Sequence, residues 1–187
     1  MIALFLLAEL SSPRFGGGIR TALDAASQEE TLITAADLGD AGQNRARRAI
    51  LAATRGYGEN WDVFENFPGR VRWVRAMLAP GELARVRYLD YSYWNELSGG
   101  SRLASDAAQQ VRQGIKVFGV SNRPYLRAAR AVERGELFPS LILAGRRRDR
   151  LTCLEGHLRL TAYALAGFPS EIECLVGTAR AMDRWDH

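Results

Sequence analysis

Leu151-Thr152-Cys153-Leu154-Glu155-Gly156-His157-Leu158-Arg159-Leu160-Thr161-Ala162-Tyr163 changes character at its middle. The first four residues are a short apolar run of strand formers, and an acid and a glycine stop it. A His and an Arg follow, and from there the apolar positions recur at helical spacing. The stretch therefore reads as a strand, a tight turn and the first turn of a helix. The first amides of a helix lack intrahelical acceptors, and together with Arg159 they make a place for an anion. Phosphate, above all on a nucleotide, is the ligand this corner suggests.

Outward from that corner, Leu141–Ala144 and Leu151–Leu154 read as two strands of a hairpin. They are joined by Gly145-Arg146-Arg147-Arg148-Asp149-Arg150, and Pro139 precedes the first of them. A helix from Leu158 to Ala166 is stopped by Gly167-Phe168-Pro169, and Glu171–Val176 is a last strand. Upstream, Ser121-Asn122-Arg123-Pro124 starts a helix on which Arg123, Arg127, Arg130 and Arg134 share one face. Tyr125, Ala128, Ala129 and Val132 share the other. Like charges on one stripe repel unless an anion lies against them, so the stripe is either a phosphate contact or plain solvated surface. Lys116–Val120 reads as a short strand, and Ser101 as the N-cap of a helix through Gln113 that buries Leu103, Ala107 and Val111. Val71–Leu78 alternates like a strand. The cluster Tyr88, Tyr91, Tyr93 and Trp94 suits a core, or alternatively stacking on a base.

Residues 1–65 read as a helical N-terminal segment, with Asp62–Gly69 as the connector to a second domain over 66–187. The best helix runs from Asn44 to Arg55 and ends at Gly56; the run Ser11–Gly18 reads as a loop. Its three glycines are not followed by Gly-Lys-Ser/Thr, which excludes a phosphate-binding P-loop there. The fold class is α+β, a small mixed sheet with helices.

With 187 residues, a net charge of +4 and Lys116 as the only lysine among 25 basic residues, the chain mildly favours an anionic partner. Cys153 and Cys174 lie in apolar strand-like runs and read as buried thiols. The opening Met1–Ala8 is apolar but too short to span a bilayer and lacks a basic leader, so it reads as core helix and the chain as cytoplasmic. A peripheral position at the inner membrane is the other option for this segment.

The order helix, strand, hairpin, strand, acid-Gly-x-x-Arg, helix, strand over 116–177 resembles the ParB/sulfiredoxin superfamily. Glu155, Gly156 and Arg159 carry the likeness, with Ala162 after them and Pro139 before the hairpin. The resemblance implies a ParB/sulfiredoxin-like fold over 66–187 whose turn binds nucleotide phosphates with magnesium. His157 stands where sulfiredoxins have their reactive Cys, and Leu158 where they have His, which excludes sulfinic-acid repair. No helix-turn-helix domain follows the motif before His187, which argues against centromere binding. Free-serine kinases carry acid-Gly-His-His-Arg, matched here at Glu155, Gly156, His157 and Arg159 but not at Leu158. Length, the helical N-terminal segment and the motif together are similar to the plasmid fertility-inhibition (oncogenic-suppression) branch. That likeness implies ATP hydrolysis, DNase activity without sequence preference, and inhibition of conjugative plasmid or T-DNA transfer.

Cleaving a phosphoanhydride or phosphodiester needs charge stabilisation, an activated water and usually magnesium. In this reading Glu155, His157 and Arg159 are the catalytic residues. Arg159 forks onto phosphate, Glu155 holds Mg2+ or positions water, and His157 moves a proton. Gly156, Leu158, Arg127 and Arg130 contact ATP. Arg123, Arg134, Arg146, Arg147, Arg148 and Arg150 form a DNA track. The implied partners are nucleotide, non-specific DNA and components of a type IV secretion or conjugation apparatus. Blander readings stay open: Glu155 as a helix cap and His157 as a structural turn residue. Two other functions also remain, a nucleotide-dependent kinase of a small molecule such as an amino acid, and a non-catalytic inhibitory binding module.

Overall fold

The computed structural model describes residues 1–136 and 138–185. The chain divides into two compact units, Met1–Gly69 and Arg70–His187. The first is helical: α1 (Ile2–Leu10), α2 (Gly16–Ala25), α3 (Thr31–Thr34) and α4 (Ala41–Arg55), then a 3-10 turn at Asp62–Phe64. Helix α4 starts three residues before the expected Asn44, because the Asp40 carboxylate accepts from the Gly42 and Gln43 amides at 2.7 and 3.0 Å. The expected loop over Ser11–Gly18 is also shortened. Gly16 already opens α2, where a Cβ would stand 2.5 Å from the Leu10 carbonyl oxygen. Burial of Ile19 and Leu23 on that helix outweighs the poor helix propensity of its glycines. Arg47 lies 1% exposed inside this unit. Its guanidinium donates to the Leu32 and Asp37 carbonyls and to the Gln43 and Asn44 side chains, at 2.6 to 3.0 Å. No helix among the described residues is long and apolar enough to cross a membrane.

The second unit contains β1 (Arg72–Leu78), α5 (Pro80–Leu83), α6 (Ser92–Leu97), α7 (Ala104–Arg112) and α8 (Arg123–Glu133). Then follow β2 (Leu141–Arg147), β3 (Arg150–Glu155), α9 (His157–Leu165), β4 (Ile172–Thr178) and a 3-10 turn at Arg180–Arg184. Residues 186 and 187 lie outside the described residues. The strands form one mixed sheet in the order β1-β4-β2-β3. Strand β4 is antiparallel to β1, with Ala76 opposite Cys174, and parallel to β2, with Leu143 opposite Val176. Strand β3 pairs antiparallel with β2, Leu143 facing Cys153. Alternate residues of the sheet, Leu141, Leu143, Cys153, Cys174 and Val176, face a helical layer. That layer supplies Ala107 and Val111 from α7, Tyr125 and Ala129 from α8, and Leu160 and Tyr163 from α9.

Two local expectations fail. Lys116–Val120 is not a strand: Val117–Gly119 is a 3-10 turn with Phe118 at φ 47°, and Asn122 Nδ2 closes it by donating to the Ile115 carbonyl at 2.8 Å. Apolar residues there misled because Val117 alone is buried and the segment pairs with neither edge strand of the sheet. The N-cap of α7 is Leu103, in extended conformation, while the Ser101 hydroxyl accepts from the Leu103 amide at 3.1 Å, so it turns the chain into the helix.

Candidate functional site

Strand β3 ends at Glu155, Gly156 caps α9 at φ 105°, and the helix starts at His157. Only a residue without Cβ fits this cap: a Cβ on Gly156 would stand 2.5 Å from Leu141 Cδ2 and 2.8 Å from an Arg159 guanidinium nitrogen. The left-handed turn brings the Glu155 carboxylate back over the first turn of α9, where it forms an ion pair with Arg159. The two side chains keep only 20% and 12% of their surface in contact with solvent. The anion that meets this guanidinium is thus an internal one, and the space above the glycine is filled by Leu141 and Arg159.

His157 is held as firmly. Its ring stacks on Trp94 with centroids 4.8 Å apart and planes 13° from parallel, and Trp94 stacks in turn on Tyr88 at 4.8 Å. Tyr88 is completely buried, and its hydroxyl lies 2.7 Å from that of Thr161, which donates to the His157 carbonyl at 2.8 Å. The His157 Nε2 atom is out of reach of solvent. Tyr88 and Trp94, two of the clustered aromatics, thus wall the corner. Burial pushes the Cys153 thiol well above its ordinary pKa and the Cys174 thiol up to about 12, so both stay protonated. They are free cysteines.

This donor set does not fit a resident magnesium ion. Glu155 spends its carboxylate on Arg159, and no group of three or more His, Cys, Asp or Glu side chains comes together among the described residues. A nucleotide phosphate would have to displace Glu155 from Arg159 before the amides of Leu158 and Arg159 could receive it.

The other basic residues named from the sequence divide into two kinds. Arg134 pairs with Glu136, Arg146 with Asp183, and Arg147 with Asp149, all in exposed positions where such pairs exchange readily. Arg148 is anchored more firmly. It meets Glu82 through two nitrogens, at 2.8 and 3.2 Å, and donates to the Met77 carbonyl at 2.7 Å. The same contact, with the Ala79 amide after it, holds the Glu82 carboxyl below the ordinary range. Arg123, Arg127, Arg130 and Arg150 are exposed and join no ion pair among the described residues.

Sequence reasoning overlooked Arg85 and Arg87, which follow α5 in a segment without regular structure. The Arg87 amide donates to the Leu151 carbonyl at 2.9 Å and its carbonyl accepts from Cys153 at 2.7 Å, so this residue runs beside β3. An open groove of about 300 Å³ is lined there by Arg85, Arg87, Leu103, Arg150 and Thr152. A second, of about 310 Å³, lies around Arg146, Arg147, Arg150 and Asp183. Asp149, Arg150 and Thr152 border both. Along β3, Arg150 at the groove end and Glu155 at the corner end lie about 17 Å apart. Charge is divided the same way: Met1–Gly69 holds six basic and nine acidic residues, and residues 70–187 hold nineteen and twelve.

Comparison with models of protein families, with curated proteins and with solved structures gave no match.

Proposed function

We propose that the second unit binds nucleic acid through its phosphates. The observation that carries this reading is the excess of seven positive charges there, set against a deficit of three in the first unit. Exposed arginines that join no ion pair among the described residues line an open groove beside β3. Others, Arg123, Arg127 and Arg130, form a stripe on α8. Basic residues placed both in a groove beside β3 and along α8, where Arg123 and Arg130 lie about 10 Å apart along the helix axis, suit a polymer more than a single small anion. Phosphate contacts carry no sequence information, so binding is expected to be insensitive to sequence and sensitive to salt. Titrating a labelled duplex with the wild-type protein and with an R87Q/R150Q variant tests it. The variant should bind more weakly by about tenfold with unchanged melting temperature; equal affinity would remove the β3 groove from the account.

The fuller reading, an ATP-hydrolysing ParB/sulfiredoxin-type DNase that blocks conjugative transfer, is supported by the strand, left-handed glycine and helix around Gly156. It requires Arg159 to leave Glu155 for a phosphoryl group. A ligand of the folded state raises apparent stability, so ATP with magnesium should raise the melting temperature of the wild type. No rise at millimolar ATP leaves the corner as scaffold and the protein as a non-catalytic nucleic-acid-binding module.

A further inference from the structure

Phe118 stands in an energetically poor backbone position with little return from packing. It is a bulky residue in the left-handed region, at φ 47° and ψ 32°, yet 68% of its surface is exposed. Ile115 and Val120, on either side of the same turn, are exposed as well. The ring leans on Tyr93 of α6, with centroids 6.4 Å apart, and the Tyr93 hydroxyl meets that of Tyr125 at 2.9 Å. Those contacts fix the turn next to the first turn of α8, where Arg123 and Arg127 emerge. Between Asp106 and Glu133 the chain has no acid and five basic residues. Of these, Arg112 is used on the Leu165 carbonyl, at 2.8 Å. The other four, Lys116, Arg123, Arg127 and Arg130, are exposed. Glu96 is the one acid that α6 brings to this region.

We infer that Phe118 is a stacking platform for an unpaired nucleobase, with Lys116, Arg123 and Arg127 holding the adjoining phosphates, so that the nucleic acid bound on this face is single-stranded. This rests on the nucleic-acid reading above and narrows it. Stacking on a protruding ring needs an open base face, which a strand offers and a duplex hides; a basic track beside aromatic side chains is the general solution for single strands. The left-handed backbone at Phe118 aims the ring outward rather than into the layer of Val117.

The test uses the full-length protein and labelled oligonucleotides of about 16 nucleotides, single-stranded or duplex, at fixed salt. Wild type should prefer the single strand. Phe118→Gly, which suits the left-handed backbone and should not lower the melting temperature, should weaken single-strand binding about tenfold and leave duplex binding unchanged. Phe118→Tyr should keep the affinity. On unaltered protein, a single strand of abasic sites should lose as much as the glycine variant does. An equal loss on both oligonucleotides, no loss, or conversion of a dimer into a monomer by Phe118→Gly overturns the inference and leaves the β3 groove standing. Failure of the wild type to bind either form at low salt overturns both proposals.

Discussion

Arg159 neutralises Glu155 in a corner where both side chains are mostly shielded, so removing one partner strands the charge of the other. Arg159→Ala should therefore destabilise the protein by about 2 kcal/mol in urea unfolding, and Glu155→Gln, which keeps a polar acceptor, by clearly less. Equal and negligible costs would show that the pair opens freely in solution. Loss of any activity in Arg159→Ala is then uninformative unless stability is restored, and Glu155→Gln is the better probe of chemistry. Gly156→Ala should cost about 3 kcal/mol, since it meets both a left-handed backbone and the Leu141 side chain. The residue types and spacing of this corner were legible in the sequence. Their mutual engagement was not, because only the turn at Gly156 decides that Glu155 folds back over α9 instead of pointing away.

At the scale of elements, one cap carries a pH dependence of known sign. The amides of Gln43 and then Gly42 hold the Asp40 carboxyl below its ordinary value of 3.8. A group depressed by folding contributes stability that is complete above the unfolded-state pKa and disappears as pH falls through the folded one. Melting temperature followed from about pH 6 down to pH 2.5 should fall more steeply for wild type than for Asp40→Asn, whose amide oxygen caps the helix at every pH. Glu82 and Glu173 are depressed too, by Arg148 and by Ser140 respectively, so the difference between the two curves is the measure of Asp40. Parallel curves would mean that the cap has no ionic part. Helices α4 and α8 are readable from sequence because one face of each is buried, whereas the hairpin strands and α9 are readable as apolar runs, buried without a break at 141–145, 151–154 and 160–165. The segment Lys116–Val120 was misread as a strand, since alternation of apolar residues says nothing of whether a neighbouring strand exists to pair with. Helix α2 was partly missed because the glycine run suggests a loop, while Gly16, the first of the three, in fact allows close approach to the end of α1.

For the whole molecule, the sequence shows a modest net charge of +4 that is the sum of an acidic first unit and a basic second one. The partition is the same at the boundary expected from sequence, since residues 66–69 carry no charge, and the small mixed sheet places the hairpin arginines and the Glu155–Arg159 corner at opposite ends of β3. The α+β class was readable in advance from strands interspersed with amphipathic helices. Arg85 and Arg87 were invisible to motif reading, because what brings them to β3 is a backbone bridge in an irregular segment. An extended phosphate track of this kind releases counterions on binding, and each phosphate neutralised steepens the salt dependence by about 0.9 in the logarithmic slope. The decisive measurement is the affinity of the wild-type protein for an unspecific DNA duplex between about 50 and about 200 mM salt. A linear plot with a slope of about −3 is expected from contacts by Arg85, Arg87 and Arg150; a flat plot, or no binding at the lowest salt, would contradict phosphate recognition by the β3 groove.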